Sequence, residues 1–239
     1  MRKLSLISKI YIATVIALGA AELVKGLIHW KASKPFEFMA LLVMTLIASR
    51  LKIKLPGING TMSVNVPFLL IVAVRLSAGE SLAIAALASL VQSMPGAQRR
   101  TALLQAVFSS STITNAVFAA ALAFSFASHR GLVLPLSIGA AGIAFFLANT
   151  VLVALVLWLA EGAALVKTWR GMARLSTPYY ALSAGVAALV CAATQFAVWG
   201  LSLALLPLMY SIYTSYRLYF TGEMAAKSGV QLHVDATTS

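Results

Sequence analysis

Basic residues crowd into every second connector of a chain whose apolar runs carry almost no charge. Arg2, Lys3 and Lys9 come first, then Arg50, Lys52 and Lys54, then Arg99 and Arg100, then Lys167, Arg170 and Arg174, then Arg217 and Lys227. These are 13 of the 18 Lys and Arg residues. The intervening connectors hold Lys31, Lys34, Arg75 and Arg130, and Lys25 lies inside the first run. Lys and Arg resist translocation, so the asymmetry places both termini in the cytoplasm of a multi-pass protein. The expected fold class is an all-α polytopic integral membrane helix bundle.

Composition agrees. With 239 residues, 61% apolar content, 10% charged residues and a mean hydropathy of +0.92, the chain lies outside the range of soluble domains of its length. A formal charge of +12 invites a nucleic-acid reading, but the basic residues are spread over short connectors and form no continuous stripe. Retention of positive loops beside an anionic leaflet accounts for them, and no nucleic-acid partner is expected. Cys191 is the single cysteine, which excludes an intrachain disulfide and a Cys-based metal cluster. No metal or other cofactor is expected.

Spans are read at about 5 to 28, 36 to 51, 64 to 77, 80 to 95, 101 to 127, 133 to 160, 177 to 197 and 200 to 220. These eight hydrophobic segments make residues 1 to 220 one transmembrane helical domain, followed by a disordered cytoplasmic tail at 221 to 239. The second, third and fourth segments are short: a 16-residue helix rises about 24 Å, against a hydrocarbon core of about 30 Å. They must thin the membrane, pack within the bundle, or form a re-entrant hairpin at 64 to 95. A pair of helices there keeps the later basic connectors on one side, whereas a single long helix would send them outside, so the pair is expected. Arg2 and Lys3 before the apolar run Ile10 to Ala21 have the outline of a signal peptide. The apolar character resumes from Leu23 to Trp30, which argues for a retained span. Between the sixth and seventh spans, Lys167, Arg170 and Arg174 recur at helical spacing opposite Val166, Trp169 and Met172. They predict a short amphipathic helix on the cytoplasmic surface.

Ionisable and polar groups at membrane depth are the candidate site residues. Glu22 and Lys25 are three apart and are expected to pair on one helix face. Arg75 ends one short helix and Glu80 begins the next; they either cap a hairpin or form a charged rim over a cavity opening to the outside. On the fifth span, Gln105, Ser109 and Thr112 share a face, with Ser111 and Asn115 on a neighbouring one. These groups bind a polar ligand or bond between helices. Asn149 must find an interhelical partner or line a cavity. Ala13, Ala17 and Ala21 form a helix-packing ladder that admits close approach of a neighbouring span or a separate subunit. No HExxH, paired-Cys motif, GxxxxGK loop or GxSxG elbow occurs, and no catalytic residues are assigned.

Four stretches carry a resemblance: LPGINGTMSVNVPFLL at 55 to 70, FFLANTVLVALVLWLAEG at 145 to 162, TWRGMARLSTPYY at 168 to 180 and YSIYTSYRLYF at 210 to 220. From Leu55 through Arg217, the chain resembles the membrane-embedded N-terminal sensory module of bacterial HD-GYP and GGDEF signalling proteins. In that family the last span runs into a cytoplasmic enzyme; here a short tail takes its place. More loosely, VNVPFLLIVAVRLSAGESLAIAALASLVQ at 64 to 92 is similar to the substrate-binding subunits of energy-coupling-factor vitamin transporters.

The expectation is therefore a non-catalytic sensing or small-ligand-binding module in the bacterial inner membrane. The alternative is a transporter's substrate-binding subunit. Its expected partners are the bilayer, a small-molecule ligand, and a membrane or cytoplasmic signalling or transport protein. Ligand would sit between the helices at 64 to 95 and the polar face of 101 to 115. The last span would report occupancy through Tyr213, Tyr216 and Arg217.

Overall fold

The computed structural model describes residues 5–30, 34–54, 61–93, 100–193, 207, 209–211 and 213–215. Seven α-helices and one two-stranded sheet are described: α1 Leu6–Ile28, α2 Pro35–Arg50, β1 Lys52–Lys54, β2 Thr61–Ser63, α3 Val66–Arg75, α4 Ala78–Ser93, α5 Arg100–His129, α6 Leu134–Glu161 and α7 Leu165–Ala193. Residues 207, 209–211 and 213–215 are also helical; the remainder of the eighth apolar segment, the connector at Arg99, and the tail from Tyr216 lie outside the described residues. Among the described residues four helices, α1, α5, α6 and α7, are long and apolar enough to cross a membrane.

Local chemistry sets the helix ends. Ser5 caps α1 by accepting the Ser8 amide at 3.1 Å. Pro35, Pro67 and Pro135 stand in the first turns of α2, α3 and α6, where an amide donor is not needed. Gly131, at φ +77°, makes the tight α5–α6 turn, and Gly162, at φ +72°, ends α6 in the left-handed conformation.

Two elements depart from the sequence reading. The basic connector after α2 carries a hairpin rather than a plain loop, with Lys52 opposite Ser63, Ile53 opposite Met62 and Lys54 opposite Thr61. The separate surface helix expected at 166 to 174 is instead the first half of α7, which runs on through Pro178. That proline removes one amide donor. The Ser176 and Thr177 hydroxyls bond the carbonyls of Met172 and Ala173, and Trp169 Nε1 donates to Thr150 Oγ1 on α6 at 3.2 Å. The helix is continuous from its basic half into its apolar half.

The core is built around α3. Phe68, Leu69, Leu70, Ile71 and Val72 are all fully buried, so this ten-residue helix, about 15 Å long, has protein on every side. Such a short helix is stable at membrane depth only under this condition. At its first turn the Val66 amide donates to Tyr179 Oη on α7 at 3.3 Å, while Asn65 donates to Ser49 on α2 at 2.9 Å.

Helix directions follow from the contacts. Ser8 and Tyr11 donate to the carbonyls of Leu159 and Leu152, so α1 runs antiparallel to α6. Tyr11 meets the Phe108 ring and Asn115 donates to the Val15 carbonyl, so α1 runs parallel to α5. Val66 lies at Tyr179, and Leu70 approaches Ala184 beside Gly142, so α3 runs parallel to α7. The C-termini of α1, α3 and α5 and the N-termini of α2, α4 and α6 thus gather at one end of the bundle.

Candidate functional site

Five charged groups of the described helices, Glu22, Lys25, Glu37, Arg75 and Glu80, belong to that end. Arg75 ends α3 and forms a close ion pair with Glu37 in the first turn of α2, and Lys34 Nζ lies 3.6 Å from the same carboxylate. Glu37 was not singled out from the sequence; its position two residues after a helix-starting proline was the available signal. Ser77 and Glu80 close a capping box at the start of α4: the carboxylate accepts the Ser77 amide at 3.0 Å and the Ser77 hydroxyl at 2.8 Å, and the Glu80 amide reaches Ser77 Oγ at 3.4 Å. Arg75 and Glu80 therefore each have a structural partner, while the second Glu80 oxygen, Oε1, is buried with no hydrogen-bond partner among the described residues.

Beside the capping box, α1 and α4 touch through glycines. A methyl group at Gly26 would lie 3.0 Å from Gly79 Cα, and one at Gly79 would run into the Gly26 carbonyl. This contact borders a cavity of about 330 Å³ lined by Ala21, Glu22, Lys25, His29, Ala78, Leu82 and Phe118 together with both glycines.

Glu22 and Lys25 do not pair as their spacing predicts. Among the described residues, the ion pairs are those of Glu37 with Lys34 and Arg75. Lys25 is exposed, whereas Glu22 Oε2 is buried with no hydrogen-bond partner among the described residues. His29 Nδ1 is bonded to the Lys25 carbonyl at 2.9 Å; that oxygen only accepts, so Nδ1 carries a proton. The cavity thus has a carboxylate one turn below Lys25, a basic rim of Lys25 and His29, and an apolar wall of Leu82 and Phe118.

The other sequence-predicted residues are dispersed. Gln105 is exposed and Ser109 half-buried. Thr112 is buried with Oγ1 unpartnered, and Asn115 donates to the Val15 carbonyl at 3.2 Å. Asn149 donates to Tyr180 Oη on α7 at 2.7 Å, an interhelical partner. Ala13, Ala17 and Ala21 are all exposed, Ala21 at the edge of the cavity, and α1 approaches its neighbours through Gly19 and Gly26. Among the described residues no three His, Cys, Asp or Glu side chains gather as a metal site.

No protein family, curated protein or solved structure matches the chain.

Proposed function

We propose that the chain is a multi-pass module of a bacterial plasma membrane that binds a small ligand in the α1–α4 cavity and signals its occupancy, without catalysing a reaction. The observation that carries this reading is Glu22, an acidic side chain without an ion-pair partner among the described residues, in the wall of a cavity between two helices. A carboxylate at membrane depth is costly unless it is paired or hydrated, and a bound donor in the cavity would pair it. The alternating Lys and Arg pattern supports cytoplasmic termini, which turns the Gly26–Gly79 end, and the cavity with it, to the outside.

The signal is a population shift. Ligand wedged against Ala78 and Gly79 biases how α4 packs on α1, and α4 is joined through Leu76 and Ser77 to the buried α3. Met209, fully buried, and Tyr213 pack on the same core as α3, so the eighth segment feels its position. Purification from native membranes followed by mass spectrometry of bound small molecules tests the reading. A stoichiometric ligand that raises Tm on re-addition supports it; its absence, with no stabilisation by any member of a metabolite panel, rejects it.

A substrate-binding subunit of a membrane transporter is the second reading, favoured by the exposed Ala13 and Ala17 of α1, which leave room for another helix. Copurification with an ATPase and a coupling membrane subunit selects transport; copurification with a nucleotide-signalling enzyme selects sensing.

A further inference from the structure

We propose that the cavity between α1 and α4 takes a small zwitterion, a short carbon chain bearing one ammonium and one carboxylate. The assignment rests on the ligand-binding reading above and adds the chemical class. Among the described residues Glu22 is the single acidic side chain lining the cavity, and an ionised carboxylate only accepts hydrogen bonds, so the ligand group beside it is a hydrogen-bond donor. A cationic donor suits it best, because a charge-assisted bond is about twice as strong as a neutral one. Lys25 lies one turn further toward the bundle end, about 4.5 Å along the axis, and His29 lies a further turn out, about 10 Å from Glu22. A ligand carrying only positive charge would meet Lys25 as a repulsive neighbour; a carboxylate at its other end converts that repulsion to attraction.

The start of α4 does not serve as the anion site, since Glu80 already faces it and accepts the Ser77 amide. Lys25 therefore supplies the positive charge, and the His29 ring, anchored through Nδ1, stands beside it. Ala21, Leu82 and Phe118 offer the intervening carbon chain an apolar wall. One carboxylate beside two basic groups is a poor donor set for a divalent cation, which prefers several oxygen ligands.

The test uses the purified full-length protein and a matched series of probes: glycine, leucine and 5-aminopentanoate as zwitterions, butylamine as amine alone, and butyrate as carboxylate alone. Thermal shift and calorimetry are expected to show binding by at least one zwitterion and about tenfold weaker binding by both single-charge probes. Glu22→Gln keeps the side-chain shape and is expected to weaken zwitterion binding by about tenfold or more, as is Lys25→Met, with the ligand-free Tm of Lys25→Met unchanged. Equal binding of butylamine or butyrate overturns the zwitterion assignment and leaves ligand binding standing. Binding by none of the probes, while a different molecule copurifies, also overturns the assignment alone. Zwitterion binding unaffected by either substitution places the ligand elsewhere and overturns it as well.

Discussion

Gly79 at the start of α4 rests directly on the backbone of Gly26 in α1, with no space for a side chain between them. The contact fixes how close the two helices come and therefore how wide the adjoining cavity is. Gly79→Ala would force the helices apart, and overpacking of this kind costs about 1–3 kcal/mol. Gly139, whose added methyl would meet nothing within 4 Å, is the control: Gly139→Ala is expected to leave Tm unchanged or raise it, since alanine is the better helix former. Differential scanning fluorimetry of the two variants checks the contrast.

Glu37 joins two cations of unequal burial. The Lys34 side chain is 48% exposed and the Arg75 side chain 18%. Lys34→Ala is expected to cost less than about 1 kcal/mol, as surface pairs do. Glu37→Ala leaves Arg75 short of an acceptor at the end of the central helix and is expected to cost about 1–3 kcal/mol. Equal effects of the two substitutions in chemical or thermal unfolding would show that the Arg75 pair contributes nothing special.

Asn149 and Tyr180 form a polar link between α6 and α7 inside an aromatic cluster with Phe145 and Phe146. Tyr180→Phe removes the acceptor and strands the amide, at a cost of about 1–2 kcal/mol. Once Asn149→Leu is present, the same change is expected to cost little. A double-mutant cycle measures this coupling, and additive losses would mean that the two residues do not act on each other.

The helices α1, α2, α5 and α6 were legible as apolar runs because in a membrane the length of apolar sequence sets the length of the helix. The break at Leu76 and Ser77 was legible too, through Arg75, Gly79 and Glu80 at the expected dipole ends. The hairpin was not, because two three-residue strands, one of them the basic KIK, are too short to show a period of two. The continuity of the basic stretch with the seventh apolar run was not legible either, because Trp169 bonds Thr150 on α6 while Tyr179 and Tyr180 are buried beyond Pro178, contacts made across the fold. The cavity was least legible of all. It depends on the approach of Gly26 to Gly79, 53 residues later, and no local pattern encodes such a meeting. Glu22 was visible as an ionisable residue at membrane depth; that Lys25 leaves it unpaired follows only from the fold.

The account depends most on the cavity facing the exterior while the basic half of α7 faces the cytoplasm. A membrane-impermeant maleimide applied to intact cells tests this directly, using Ala78→Cys at the cavity and Arg170→Cys on α7, both in a Cys191→Ala background. Ala78 and Arg170 are both exposed, whereas Cys191 is buried. The expected result is labelling of the Ala78 site in intact cells and of the Arg170 site only after permeabilisation. The reverse pattern would contradict the topology and the proposed access of ligand from outside.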